Sequence, residues 1–230
     1  MATYEPSQEA MKKAMYERHT VRKYTGDKLP QDIVEKLNER IEENNKKYAL
    51  NIQLVTNNKE AMPGIMAATM SKNVLNYMIL AGPDKVSTDE VLGYASADLM
   101  LYAQTLGLNT WWIGGMYSKK NARKNSSSPE GSKIIGVVAV GYGMEQGVPH
   151  MSKSMDEVSS YDGEAPDWFK AGVEAALLAP TGMNRQEFTV KGSGNEVAMT
   201  VPDASFAKAD LGICKYHFEL GAGKENFTWK

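Results

Sequence analysis

The chain has a single cysteine, Cys214, in 230 residues. It can close no internal disulfide, and a lone thiol fits a reducing compartment, so the expected location is the cytoplasm. Histidine is almost as scarce. His19, His150 and His217 stand far apart, and no Cys or His pair has ligand spacing, which argues against a zinc site. Neither sign of charge dominates: 26 Lys and Arg face 28 Asp and Glu, for a formal net charge of −2. No global field therefore recruits nucleic acid or an anionic membrane. No stretch approaches the ~18 apolar residues of a membrane span. The opening Met-Ala-Thr-Tyr-Glu-Pro has neither the basic nor the apolar region of a signal peptide, and none is expected. A Ser-His-Asp set, a paired-carboxylate signature and a metal cluster are all missing, so the sequence offers no catalytic acid–base residue and no metal ligand. What remains is ordinary for a soluble globular chain, 42% hydrophobic and 23% charged. That is enough to bury one large core or two small ones.

Against this background one septet stands out, Arg18-His-Thr-Val-Arg-Lys-Tyr24. Arg18, Thr20 and Arg22 recur at every second position, so in extended chain they share a side. Two guanidinium forks with a hydroxyl between them suit the oxygens of a phosphate. A solvated basic turn accounts for the same composition. A second unusual stretch is Ala179-Pro-Thr-Gly-Met-Asn-Arg-Gln186, where an amphipathic helix (168–178) meets Pro180 and turns before a strand at 187–191.

The elements between can be read from periodicity. Ser7 opens a helix to about Glu17, and Pro30 begins another to about Lys46. Leu50 to Val55 and Tyr77 to Ala81 read as strands, while 57–71 gives no clear pattern. Ser87 and Glu90 have the spacing of a capping box before a long helix carrying Leu92, Ala95, Leu99, Tyr102 and Leu106. Thr110 to Ile113 is a short strand ending in Gly114-Gly115, and a polar helix follows at 118–124. Ile134 to Val140 is a continuous β-branched run of the kind buried on both faces. Gly141-Tyr-Gly143 behind it lacks the third glycine and helix of a dinucleotide fingerprint. Later, Glu187–Lys191 and Glu196–Val201 form a hairpin through 192–195, and Asp203 caps a last helix. Ala209-Asp-Leu211 echoes Ala97-Asp-Leu99, and Thr228-Trp229 echoes Thr110-Trp111, which suggests an internal duplication.

Taken together, the septet and the Ala-Pro-Thr-x-x-Asn-x-Gln turn resemble the FMN-dependent nitroreductase family. Arg18, Thr20, Arg22 and Tyr24 match its opening motif. Ala179, Pro180, Thr181, Asn184 and Gln186 match its second, which here comes about 160 residues after the first instead of a few dozen. The resemblance implies an α+β fold, with a central, mainly antiparallel sheet flanked by helices. It implies that Arg18, Thr20, Arg22 and Lys153 hold the flavin phosphate, with His19 contacting the cofactor through its backbone. Pro180, Thr181, Gly182, Met183, Asn184 and Gln186 would border the ring, and the Gly114-Gly115 backbone would approach it. Family members are homodimers with flavin at the interface, each subunit giving one motif. Here residues 1–160 keep only the first motif and 161–230 only the second, so the chain reads as two degenerate halves co-folded into a pseudo-dimer. A homodimer with exchanged halves is the alternative. The implied activity is ping-pong transfer from NADH or NADPH through FMN to a small-molecule acceptor such as a nitroaromatic or quinone. A flavin-binding protein without turnover, or reductive dehalogenation on the same fold, are the alternatives.

Overall fold

The computed structural model describes residues 4–62 and 64–230, without the side chains of 66–68. The first helix, α1 (Gln8–Glu17), starts where the Ser7 hydroxyl accepts the Ala10 N–H at 3.1 Å and buries Met11, Ala14 and Met15. Pro30 precedes α2 (Gln31–Tyr48), which ends as Ala49 enters the left-handed region at φ 54°. Then follow β1 (Gln53–Val55), α3 (Gly64–Thr69), β2 (Tyr77–Gly82), α4 (Thr88–Thr105), β3 (Asn109–Ile113), α5 (Lys119–Asn125) and β4 (Lys133–Gly141). These strands form an antiparallel sheet in the order β1-β2-β4-β3. Its central strands are β4, which holds the run that the sequence marks as buried on both faces, and β2, every residue of which is buried.

The chain continues through α6 (Met155–Val158), β5 (Ser159–Asp162), α7 (Asp167–Leu177), a 3₁₀ turn (Gly182–Asn184), β6 (Thr189–Ser193), β7 (Glu196–Thr200), α8 (Ala207–Ala222) and β8 (Thr228–Trp229). The second sheet runs β5-β6-β7-β8, antiparallel at its centre and parallel at both outer pairs. The expected 160/161 division falls inside β5. No helix among the described residues is long and apolar enough to cross a membrane.

Between the sheets α4 and α8 cross at near backbone contact. A Cβ on Gly93 would run into the Ala209 carbonyl, and one on Gly212 into the Glu90 carbonyl. Each glycine thus meets the carbonyl three residues before the other, so the crossing is reciprocal. Only residues without a Cβ allow this approach. In its register Ala97 corresponds to Tyr216 and Asp98 to His217. The Ala-Asp-Leu echo, Ala97–Leu99 and Ala209–Leu211, falls outside this register.

Beside the crossing, Asp98 joins three helices. Its carboxylate accepts from Arg40 Nε at 2.8 Å and Nη2 at 2.7 Å, from Asn44 at 2.7 Å and from the Tyr216 hydroxyl at 2.8 Å. Arg40 and Asn44 lie on α2, Tyr216 on α8. Asp98 is only 4% exposed, so this is a desolvated cluster whose groups satisfy one another.

Some local expectations give way to tertiary bonding. The strand expected from Leu50 begins only at Gln53, because Ile52 spends both backbone groups on the Asn45 side chain. Ser87 makes no side-chain cap; the Thr88 hydroxyl instead bonds the Pro83 carbonyl. Asp203 caps nothing, since α8 starts after Phe206. The unclear stretch contains α3, and the hairpin turn narrows to Gly194-Asn195, with Gly192 and Ser193 drawn into β6.

Candidate functional site

The septet leaves α1 and runs as extended chain over the edge of the first sheet. Val21 N–H donates to Thr110 O at 3.1 Å, Lys72 N–H to Arg22 O at 3.0 Å, and Tyr24 N–H to Lys72 O at 3.0 Å. Val21 and Tyr24 are buried. The shared face expected of Arg18, Thr20 and Arg22 is divided. Arg18, at the helix end, turns inward; Thr20 is half-buried; Arg22 is exposed with its guanidinium 5.4 Å from the Trp111 ring centre.

Arg18 is 4% exposed, and its backbone N–H closes α1 on the Ala14 carbonyl at 2.8 Å. Among the described residues its side chain has no hydrogen bond or ion pair, and its Nε is buried without a partner. Burial lowers its pKa to about 10. Its charge reaches two of the three histidines: Arg18 and His150 both lower the pKa of His19 and of His217, after burial. His217 is fully buried on α8. Its Nδ1 lies 2.9 Å from the Ile213 carbonyl, which assigns the proton to Nδ1 and leaves Nε2 an acceptor with no partner. Thr110, whose backbone receives Val21, also has an orphaned hydroxyl. Of five buried unpaired side-chain atoms among the described residues, three are on Arg18, Thr110 and His217. An uncompensated buried cation is costly. A bound anion with polar groups would satisfy it, so the donor set fits a phosphate-bearing ligand.

The second motif is built by cross-linking. The Leu177 carbonyl, at the end of α7, accepts from Gln186 Nε2 at 2.9 Å and Ser152 Oγ at 3.3 Å. Gln186 Oε1 accepts Lys153 N–H at 2.8 Å, and its backbone carbonyl accepts Lys153 Nζ at 3.1 Å. Asn184 Nδ2 donates to Met151 O at 2.7 Å, Gln186 N–H to Thr181 Oγ1 at 3.1 Å, and Gly182 N–H to Asp210 at 2.9 Å. Burial pushes the Asp210 carboxyl up to about 6. Met183, Asn184 and Gln186 have φ of 53°, 55° and 50°, and Phe206 has 67°. Four of the seven non-glycine residues with positive φ among those described thus lie around this turn. Such strain persists where surrounding structure over-determines it, and it concentrates at functional sites.

One segment connects the two motifs. Gly147 packs on the septet, where a Cβ would stand 2.8 Å from His19 Cβ and 3.0 Å from Thr20 O. Met151 and Lys153 hold the Asn184–Gln186 turn. Four residues from 147 to 151 reach at most about 14 Å. Residues some 160 positions apart thereby border one region. Lys153 is spent on Gln186 and Asn184 on Met151, so both brace the turn. Gly114 lies against Phe206 and Trp112, with Gly115 beside them, at the start of α8 next to Asp210. Pro180 leads into the turn half-buried. Sequence reading did not select His150, His217, Asp210, Thr110 or Phe206: each looks like packing or loop until the fold gathers them. Two clefts lie outside the region between the motifs, the second of them adjoining the end of the septet through Thr25 and Lys72. One of about 290 Å³ borders the Asp98 cluster and one of about 720 Å³ carries Lys28, Lys59 and Lys72. Neither is lined by an orphaned buried atom.

The histidine cluster has a pH signature. Burial lowers the His217 pKa to about 3, against an ordinary value near 6.5. The folded value lies below the unfolded one, so the contribution to stability is full above pH 6.5 and is lost as pH falls toward 3. A depression of this size is worth on the order of 5 kcal/mol. His217→Gln should flatten the acid limb of unfolding free energy between pH 6 and 4, as measured by urea titration at each pH. An unchanged slope would remove His217 from acid unfolding.

A family model described as "Putative TM nitroreductase" matches residues 10–222. Among solved structures, a "putative nitroreductase" from Thermotoga maritima aligns over 96% of this chain and 88% of its own, with TM-score 0.64 and 18% identity. A "Putative NADH dehydrogenase/NAD(P)H nitroreductase" from Bacteroides thetaiotaomicron covers 65% of this chain and 95% of its own, with TM-score 0.51 and 17% identity. One of the same description from Parabacteroides distasonis covers 64% and 95%, with TM-score 0.50 and 20% identity. These likenesses are of fold. No curated protein matches the chain in sequence.

Proposed function

The chain belongs to the family described as "Putative TM nitroreductase", and on that premise we propose that it is a cytoplasmic, FMN-dependent NAD(P)H oxidoreductase of small-molecule acceptors, nitroaromatics or quinones. The observation that carries this reading is Arg18: a buried guanidinium without a counter-ion, at the head of a septet that residues 147–153 join to the second motif, with further orphaned groups on Thr110 and on His217, which feels its charge. A phosphate dianion supplies the missing charge. Arg18 would hold it, with Thr20 donating from the septet and Arg22 adding charge at the solvent edge. The acceptor nitrogen of His217 suits a hydroxyl or N–H of the same ligand. When bound, FMN supplies the redox chemistry, accepting hydride from NADH or NADPH and returning electrons to the acceptor. The chain's own residues orient and exclude water: the Thr181–Gln186 turn is fixed by Lys153, Met151 and Asp210, and Gly114-Gly115 gives a side-chain-free backbone against which a ring can lie.

The pseudo-dimer belongs to the same reading. It is supported by the reciprocal Gly93/Gly212 crossing and by the complementary motifs. In the crossing's register, the position equivalent to orphaned His217 is Asp98, whose partners are all internal. One side of the crossing thus keeps unpaired groups for a ligand, while the other has closed on its own ion pair. The test is spectroscopic. Purified protein should carry the flavin absorption band, lose it anaerobically on adding NADPH or NADH, and regain it with a quinone. Flavin that neither nucleotide bleaches would make the protein a carrier; absence of flavin, with no uptake of added FMN, would refute the reading.

A further inference from the structure

Gly114 and Gly115 have no side chains, yet the space this leaves is occupied. The Phe206 ring lies along it: a Cβ on Gly114 would stand 2.6 Å from Phe206 Cε1, and one on Gly115 3.9 Å from Cζ. The same ring meets Trp112 edge-on, with centres 6.0 Å apart and planes at 78°. Phe206 holds this position from φ 67° and ψ −5°, a region that a bulky L residue rarely adopts. Its 40% exposure puts part of the side chain against solvent, and no hydrogen bond can tether the ring. The strain is linked to that of the second motif. Asp210 N–H donates to the Phe206 carbonyl at 2.9 Å, and the Asp210 carboxylate accepts Gly182 N–H, so one residue connects the ring's anchor to the turn.

We propose that Phe206 is a displaceable plug: its ring fills the flat seat on Gly114-Gly115 that a planar fused-ring heteroaromatic ligand takes, and it leaves when that ligand binds. The ligand's identity as a flavin rests on the reading above; the plug itself rests on the contact and the strain. Exchange of one aromatic ring for another preserves an edge-to-face partner for Trp112. It breaks no hydrogen bond of the side chain, and it frees residue 206 to return to negative φ. Glycine gives the seat its flatness, because any side chain at 114 would meet both Phe206 and Trp112.

The test is stopped-flow mixing of flavin-free protein with FMN, followed by quenching of flavin fluorescence. Wild type is compared with Phe206→Gly and Phe206→Asn, two residue types that accept positive φ and carry no ring. In wild type the observed rate should level off with rising FMN, because the plug must leave first. In the variants it should keep rising in proportion to FMN and exceed the wild-type plateau at least tenfold. Riboflavin should show the same plateau, since the plug guards the ring seat and not the phosphate. Binding with the same concentration dependence in all three proteins would overturn the plug and leave the FMN reading standing. So would loss of binding by variants whose circular dichroism is native. If FMN binds neither wild type nor the folded variants, the FMN reading falls and the plug with it. The Asn variant keeps the question open to refutation if the Gly variant does not fold.

Discussion

Asp98→Ala should lower the unfolding free energy by about 3 kcal/mol, at the lower end of the range for breaking a buried pair. Asp98 accepts four hydrogen bonds from three side chains and is almost fully buried. Its removal leaves the Arg40 guanidinium, 19% exposed, without its buried acceptor, and the Asn44 amide with only the Arg40 carbonyl. The carboxylates that Arg40 retains, Glu5 and Glu43, are exposed and compensate weakly because water screens them. Asp98→Asn keeps the shape and part of the hydrogen bonding and should cost less. Urea denaturation of the three proteins measures both effects. A loss below about 1 kcal/mol for the alanine variant would mean that the cluster does not hold α2, α4 and α8 together.

Arg18→Met carries two expectations of opposite sign. In flavin-free protein, replacing an unpaired buried cation with an apolar side chain of similar length removes a desolvation cost, so the melting temperature should rise by a few degrees. In the same variant FMN should bind roughly 10- to 100-fold more weakly, since a hydrogen bond to a charged group is worth about 1.5–3 kcal/mol. A residue that destabilises the empty fold and strengthens ligand binding is one kept for the ligand. Thermal melts and an FMN titration on one preparation separate the two. A variant less stable than wild type with unchanged FMN affinity would make Arg18 structural.

The parts of this molecule that follow local rules were legible in its sequence. The apolar run 134–140 lies within β4, Ser7 caps α1, and Pro180 separates α7 from the turn. What local pattern could not show was where groups find partners at long range. Ser87 looks like a cap, but the first turn of α4 is tied instead to the Pro83 carbonyl through Thr88. Lys153 looks like a free cation, and its bonds go to Gln186. His217 sits on an amphipathic helix as any core residue would; only the fold shows that its Nε2 has no partner and that Arg18 lies within its electrostatic reach. The sequence suggests a duplication through a tripeptide echo, while the feature of the fold that fits the proposed one is the Gly93/Gly212 pair, invisible until two backbones approach. Phe206 carried no signal at all, because a positive φ at a phenylalanine is set by surroundings and not by residue type.

Saturated protein should hold a single flavin per chain, bound between the septet of the first half and the turn of the second. The most direct test is stoichiometry: FMN released from saturated, denatured protein, counted by absorbance against the chain concentration from amino-acid analysis. The account predicts one FMN per chain, because each half has only one of the two motifs. A value of two would mean that each half builds its own site, and zero after saturation would mean that Arg18 and its orphaned neighbours serve some other ligand.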